Sequence, residues 1–251
     1  MFRKETYVRR RSELRKRIEG GLVLLPGNGE SPANYPSNQF RFRQDSTFLY
    51  FFGLNRPDYV GLIDIDSGEE TLYGDDYTID DIIWMGPQPT LGEQAREVGI
   101  GKTLPLSQLG KRIKRPSPRS QGPFSCPYRG ETTLQIARLL GLAPERVPLY
   151  ASVELAKAVV ALREIKDADE IDQIEKACEI GSKMHCMAMK MCRPGVVERE
   201  IAGAIESIAL RSRRVVLLDR QPARRDTAQP LPRGHAAQRR LMLVDAGARR
   251  R

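Results

Sequence analysis

Residues 59–73, YVGLIDIDSGEETLY, decide the fold of the N-terminal half of the chain. Two runs rich in β-branched and aromatic residues, Tyr59 to Asp64 and Glu70 to Tyr73, flank the turn-forming residues between them. This pattern predicts a β-hairpin. A short apolar run at Leu22 to Leu25, cut by Pro26 and Gly27, predicts a further, buried strand.

Helical patterns alternate with these strands through residue 150. The periodicity predicts a charged surface helix over Lys4 to Glu19 and shorter helices over Leu91 to Val98 and Thr132 to Leu140. We expect an aromatic strand at Thr47 to Phe52 and a polar loop at Gly29 to Asn38. Alternating strands and helices predict an α/β domain.

From Val153 onward the pattern is helical. Asp167 and Glu170 have the spacing of a capping box, which predicts a helix start, and apolar residues then recur at helical spacing. Arg193-Pro194-Gly195 is expected to end that helix, and Glu198 to Leu210 predicts a second one. A domain boundary is therefore predicted within residues 153–165.

The composition limits the class of protein. Of the 251 residues, 40% are apolar and 29% are charged, which allows a sizeable core and excludes disorder of the whole chain. No apolar run approaches the roughly 20 residues that cross a bilayer, and the start is too charged for a signal peptide. Four cysteines do not make a disulfide framework. We expect a soluble, reduced, cytoplasmic protein without a membrane partner.

The net charge of +9 comes from one segment of the chain. Residues 1–210 are neutral, with 29 basic and 29 acidic residues, whereas residues 211–251 hold 12 arginines and three aspartates. Three interpretations are open: an arm that binds nucleic acid, a solvated tail, or a sequence produced by out-of-frame translation. The segment has no aromatic residue for base stacking, which disfavours nucleic acid as a partner.

Two clusters of possible metal ligands carry little weight. Cys178, His185 and Cys192 recur every seven residues, so along a helix they are about 10.5 Å apart and cannot converge on one ion. We expect them to pack beside the apolar stripe. An acidic cluster precedes Trp84 and comprises Asp75, Asp76, Asp80 and Asp81. These carboxylates could bind a hard cation, but aspartates are equally typical of a turn and of a helix start.

Two single residues are further candidates. Trp84 is the only tryptophan, and its residue type alone favours a place in the core. Asp245 ends the apolar run LMLVD, residues 241–245, which predicts a buried strand with a carboxylate at its end. That position suits a metal ligand, a catalytic acid or an ordinary turn former.

Several motifs resemble the bacterial Xaa-Pro aminopeptidases, the aminopeptidase P family. In chain order they are NYP (34–36), FRQDS (42–46), FLYFFG (48–53), GDD (74–76), DDIIWMGP (80–87), YRGETT (128–133), the stretch 163–174, RPG (193–195) and VDAG (244–247). The resemblance implies a creatinase-like N-terminal domain with a mixed sheet over residues 1–157. It implies the start of a "pita-bread" α+β metallopeptidase domain, cut short, over residues 158–251.

The resemblance also implies an activity and a site. In that family two divalent cations, usually manganese, are held by two Asp, one His and two Glu, and share a hydroxide that attacks the bond before a proline in second place. Asp245 matches the first metal ligand. The other four ligands have no counterpart in the chain, so we expect a truncated product that is inactive, with no catalytic residue of its own.

The resemblance gives Trp84 a role that its residue type alone does not suggest. In relatives the matching tryptophan approaches the active site of a neighbouring subunit, which makes Trp84 a candidate substrate-binding residue in a homo-oligomer. Two other functions stay open: a non-catalytic domain for oligomerisation or partner binding, and a prolidase, which cleaves Xaa-Pro dipeptides only.

Two intervals depart from the family pattern. Residues 111–125 and 211–240 are rich in Arg and Pro, and each is followed by a return to the pattern at about the normal spacing. Compensating frameshifts produce such a departure and return. We therefore predict that residues 211–240 are out-of-frame or disordered.

Overall fold

The computed structural model describes residues 2–113 and 129–212, together with the backbone of Val215–Leu217 and Gly247–Arg249. The chain divides into two compact units, residues 1–165 and 166–251. This division lies after the predicted domain boundary at 157/158, and the assignment of the two parts to family domains stays a prediction. Among the described helices, none combines the length and the apolar character needed to cross a membrane.

The first unit contains six strands and seven α-helices within its described residues. In chain order they are α1 Lys4–Arg15, β1 Leu22–Pro26, β2 Pro32–Tyr35, β3 Asn38–Gln39, α2 Ser46–Phe52, β4 Val60–Asp64, β5 Glu70–Tyr73, α3 Ile79–Met85, α4 Leu91–Glu97, β6 Lys102–Leu104, α5 Leu109–Ile113, α6 Gly130–Leu140 and α7 Val153–Arg163. Two 3₁₀ helices, Leu106–Gln108 and Pro144–Tyr150, complete it.

A four-stranded mixed sheet organises the first unit, in the order β1-β4-β5-β6. The predicted hairpin is confirmed: β4 and β5 are antiparallel, with Val60 opposite Tyr73, while β5 and β6 are parallel. Side chains alternate between the two faces. Ile63 and Leu72 pack on one side with α1, α2, α4 and α7, and Leu62 and Tyr73 pack on the other with α5 and α6. Helices therefore cover both faces of the sheet.

The aromatic run predicted as a strand is a helix, so that prediction is wrong. The carboxylate of Asp45 caps α2 by accepting hydrogen bonds from the N–H groups of Thr47 and Phe48, both at 2.8 Å. Gly53 ends the helix in the left-handed conformation, at φ 67°. A short apolar run has the same pattern in a buried strand and in a buried helix, so only the cap and the glycine distinguish them.

The segment predicted as a polar loop forms a hairpin instead. Strands β2 and β3 pair antiparallel, with Tyr35 opposite Asn38. Every residue of both strands is exposed, so no buried face imposes an alternating apolar pattern on the sequence. The hairpin could therefore not be predicted from the hydrophobic periodicity of the segment.

The second unit is built on two helices, α8 Ala168–Met191 and α9 Glu198–Arg211. Asp167 and Glu170 form the predicted capping box, with the N–H of Glu170 donating to Asp167 at 2.9 Å. The two helices share a small core of Ile180, Met184, Ala188, Ile201, Ile205 and Ala209. Backbone strands β7 Val215–Leu217 and β8 Gly247–Arg249 pair antiparallel.

Two details of α8 differ from expectation. The buried face begins later than the apolar pattern suggested, because Ile171 and Ile174 are each 46% exposed. Cys178 and Cys192 were expected to pack beside that face, and this is wrong, since both are exposed free cysteines. The apolar stripe of a helix fixes its buried face only where a second helix lies against it, and α9 covers the C-terminal half of α8.

Candidate functional site

Helix α3 presents most of its apolar side chains to solvent. Trp84 is 88% exposed, and four neighbours on the same helix are 39–78% exposed: Ile79, Ile82, Ile83 and Met85. No residue of α3 is buried. The expectation of a core position for Trp84 is therefore wrong, and its exposure fits the role in an interface that the motif implies. We call these five side chains the α3 surface.

Hydrogen bonds fix both ends of helix α3, whereas the side chains between them are exposed to solvent. At the start, Thr78 and Asp81 form a capping box, and the N–H of Asp81 donates to the Thr78 hydroxyl at 3.2 Å. The Thr78 hydroxyl and N–H both donate to the carboxylate of Asp81 and hold its pKa below the usual value. At the end, Gly86 adopts φ 75° and Gln88 donates to the carbonyl of Met85. The helix is thus ordered at both ends by contacts within its own segment.

Arg56 holds the segment that leads into α3. Its guanidinium lies 3.4 Å from the centre of the Tyr77 ring and donates to the Asp75 carbonyl at 3.0 Å. It also donates to the Tyr59 hydroxyl at 2.8 Å. This cation therefore ties the root of α3 to the sheet, because Tyr59 is buried beside β4. Sequence reasoning missed Arg56, since a lone arginine in a loop carries no spacing signal.

Three aspartates of the acidic cluster accept hydrogen bonds at turns and helix starts. Asp76 accepts a hydrogen bond from the Leu91 N–H at 2.6 Å, at the start of α4. Asp75 accepts one from the Leu106 N–H, and Asp81 caps α3. Across residues 2–113 and 129–212, no group of three or more His, Cys, Asp and Glu side chains could hold a metal ion. The hydrogen bonds of Asp75, Asp76 and Asp81 agree with the turn and helix-start interpretation.

Tyr59 carries the largest resolved pKa change near this surface. Burial raises the pKa of Tyr59 to about 12, and the charge and hydrogen bond of Arg56 oppose the shift. The amide of Gln94 also donates to the Tyr59 hydroxyl, at 3.1 Å. Tyr59 is therefore neutral at physiological pH and serves as an acceptor that links Arg56 to α4.

We expect the fold to lose stability in alkali through Tyr59. Between pH 10 and 12 an unfolded tyrosine releases its proton while folded Tyr59 retains it, so the free energy of unfolding falls as pH rises through this range. Tyr59→Phe should flatten the fall, whatever it does to stability at neutral pH. Urea titrations from pH 8 to 12 measure it. The exposed Tyr35→Phe is the control, and an unchanged slope in Tyr59→Phe would contradict the assignment.

The two predicted site residues are not brought together within the described structure. Trp84 lies on the α3 surface in the first unit. Asp245 lies outside the described residues, as do most of 211–240 and residues 114–125 of the other departing interval. The described residues therefore supply the exposed tryptophan and no metal centre.

Comparison with known proteins identifies relatives of the chain. The family model for the N-terminal domain of aminopeptidase P matches residues 7–121. A "Probable Xaa-Pro aminopeptidase" of Blastomyces gilchristii is 30% identical over 183 residues, which is 72% of this chain and 35% of the relative. The Xaa-Pro aminopeptidase of Escherichia coli is 23% identical over 80% of this chain and 48% of its own. The chain thus spans less than half of either relative.

Solved structures share the fold. A Zn-substituted E. coli aminopeptidase P in complex with product has a TM-score of 0.75, with 20% identity over 98% of this chain and 59% of its own. The Pseudomonas aeruginosa aminopeptidase PepP gives the same TM-score, with 19% identity over 99% of this chain and 59% of its own. The chain therefore shares its mixed α/β fold with about three fifths of each of these structures.

Proposed function

We infer that this chain, which is aminopeptidase P-like in sequence and fold, is part of a metal-dependent Xaa-Pro aminopeptidase. Such an enzyme hydrolyses the bond before a proline in second place and releases the N-terminal residue of a peptide. The observation that carries the proposal is the agreement of the family model with relatives and structures of this activity. A cytoplasmic location, expected from the sequence, belongs to the same proposal.

We assign to Trp84 a role in binding peptide across a subunit boundary. Trp84 is 88% exposed on a helix that is capped at both ends. The indole is therefore held in place and is available to a binding partner. Exposed tryptophans of this kind are favoured as anchors in interfaces. In a homo-oligomer the side chain would reach the substrate of a neighbouring copy and pack against the peptide.

The metal part of the proposal rests on the relatives. We propose manganese as the ion, two per site, with Asp245 as the first ligand. The residues that the structure describes do not fit a two-metal centre, since they offer no suitable ligand group. No reaction step is therefore assigned to side chains of this chain, and we expect it not to hold the metal pair alone.

Two alternatives differ in what they require. A non-catalytic domain for oligomerisation or partner binding needs only the first unit and the α3 surface, both of which are present. A prolidase would need its own metal centre and a site closed to longer peptides. The named relatives are aminopeptidases, which favours the aminopeptidase over the prolidase.

A chimeric enzyme tests the role of Trp84. Residues 1–165 replace the corresponding region of the E. coli Xaa-Pro aminopeptidase, and hydrolysis of an Xaa-Pro peptide is measured with manganese. Trp84→Ala should raise KM about tenfold or more, since anchor side chains contribute 2 kcal/mol or more, while Trp84→Phe should recover much of the loss. Met85→Ala is the neighbouring control. An unchanged KM in a folded, oligomeric Trp84→Ala chimera would remove the assigned role.

A further inference from the structure

Residues 184–192, MHCMAMKMC, concentrate sulfur-bearing side chains at the C-terminal end of helix α8. This stretch holds four of the seven methionines and two of the four cysteines of the chain, together with one of its two histidines. Thioether and thiolate sulfurs select soft metal ions such as Cu(I), and imidazole also binds copper. Manganese, the ion of the proposed function, takes mainly oxygen ligands. The composition of this stretch therefore suits a metal ion of a different class.

The packing of α8 on α9 divides these side chains between a buried and an exposed side. Met184 is buried, and Met187 and Met191 pack against the small core that the two helices share. Met189, in contrast, is 68% exposed, and Cys186 is an exposed free cysteine. The methionines on the core side fill space, which is an ordinary use of this residue. Core packing does not account for Met189 and Cys186.

Helix geometry brings three donor side chains into one neighbourhood. Cys186 lies three residues and His185 four residues before Met189 on α8. Residues at these separations are neighbours on a helix surface, with Cβ atoms about 5–6 Å apart. Helical side chains lean toward the N-terminus, so the Met189 thioether extends over the turn that carries the other two donors. The seven-residue spacing of Cys178, His185 and Cys192 gives no such neighbourhood.

The helix surface toward which His185 and Cys186 lean is open. The preceding turn carries the small residues Gly181 and Ser182, and Ser182 is exposed. A Cβ atom added at Gly181 would meet no other heavy atom within 4 Å. An imidazole and a thiolate therefore have room to turn toward an ion without displacing a bulky side chain.

We propose that His185, Cys186 and Met189 bind one Cu(I) ion on the exposed side of α8. The imidazole, the thiolate and the thioether each supply one ligand, and the thiol proton of Cys186 is released to solvent on binding. Only two of these donors are among the His, Cys, Asp and Glu side chains, of which no group of three in the described ranges could hold an ion. The site lies within the second unit and is independent of peptide hydrolysis.

Single-cysteine versions of the full chain test the site. One version keeps Cys186 and carries serine at Cys126, Cys178 and Cys192, and the matched version keeps Cys178 instead. Cys178 is also exposed on α8, but its neighbours three and four residues away carry no thioether and no imidazole. Anaerobic titration of Cu(I) against a competing chromophoric chelator measures both affinities. The Cys186 version should bind one Cu(I) at least about tenfold more tightly, since the loss of even an outer-shell partner typically costs 10–100-fold.

Removal of the other two donors distinguishes a built site from the reactivity of a single thiol. In the Cys186 version, Met189→Leu and His185→Gln should each weaken Cu(I) binding about tenfold or more. Met187→Leu is the control, because Met187 packs on the core side of the helix and should leave the affinity unchanged. Circular dichroism checks the helix content of each variant.

X-ray absorption at the copper edge identifies the ligands without any substitution at His185 or Met189. The Cys186 version loaded with one equivalent of Cu(I) should show two sulfur ligands and one nitrogen ligand. Equal affinities of the two single-cysteine versions would overturn the proposal. An unchanged affinity in either donor variant, or a spectrum with one sulfur ligand only, would do the same.

Discussion

The 251-residue chain is expected to give no measurable hydrolysis of Xaa-Pro peptides, even with manganese in excess. A shared hydroxide between two cations needs a set of ligands that converge from several elements. Only Asp245 matches a ligand of the family, and the described residues contain no group of three or more His, Cys, Asp and Glu side chains that could hold an ion. Losing even one catalytic group typically costs about 10⁴-fold or more. The rate should therefore lie at least about 10⁴-fold below that of a complete relative.

A quenched fluorescent peptide with proline in second place measures this expectation. The E. coli Xaa-Pro aminopeptidase in the same buffer is the positive control. Asp245→Ala is the matched variant, and its signal should equal that of the unaltered chain. Turnover within about a hundredfold of the control enzyme, lost in Asp245→Ala, would show that the chain builds a working centre. An Xaa-Pro dipeptide assayed in parallel separates an aminopeptidase from a prolidase.

Strands β1, β4 and β5 and most helices could be predicted because their signals are local, whereas strand β6 was not predicted. The strands β4 and β5 carry apolar side chains on both faces and a turn between them, and both features appear directly in residues 59–73. The start of helix α8 was also predictable, because the capping residues Asp167 and Glu170 can be read directly from the sequence. Such features depend on neighbours in sequence and need no knowledge of the rest of the fold.

The candidate site was predicted less completely, for a physical reason. Residue type alone places a tryptophan in the core, and only the motif around it indicated an interface. Arg56 fixes the segment before α3 through contacts with residues distant in sequence, which no local pattern reveals. The hairpin β2–β3 was missed because a two-sided exposed ribbon has no apolar alternation. The frameshift prediction concerns residues that lie largely outside the described ranges and stays a prediction.

Arg11 is expected to be the side chain whose loss destabilises the first unit most among its charged residues. It is 0% exposed. Its guanidinium donates to the Glu70 carboxylate at 2.7 Å and to the carbonyls of Phe51 and Val98, both at 2.8 Å. One side chain thereby joins α1 to β5, to the end of α2 and to the residue after α4. Burial lowers the pKa of Arg11, and the Glu70 carboxylate opposes that shift.

Arg11→Met should lower the free energy of unfolding by about 3–5 kcal/mol, the cost of removing one member of a buried ion pair. The variant keeps the length of the side chain but leaves Glu70 with only its longer contact to Arg15, and two carbonyls without the Arg11 donor. Arg15→Met is the control, because Arg15 is partly exposed and its contact with Glu70 is longer, at 3.4 Å. That variant should cost no more than about 1 kcal/mol.

A double-mutant cycle separates the charge of Glu70 from the packing of Arg11. If the charge of the Glu70 carboxylate, deprived of Arg11, dominates the loss, Arg11→Met combined with Glu70→Gln should recover part of the stability that Arg11→Met removes. Urea denaturation at neutral pH, followed by circular dichroism, gives all four free energies. A loss below about 1 kcal/mol in Arg11→Met would show that water replaces the guanidinium. The four free energies would then be additive, and the three elements would be held by apolar packing alone.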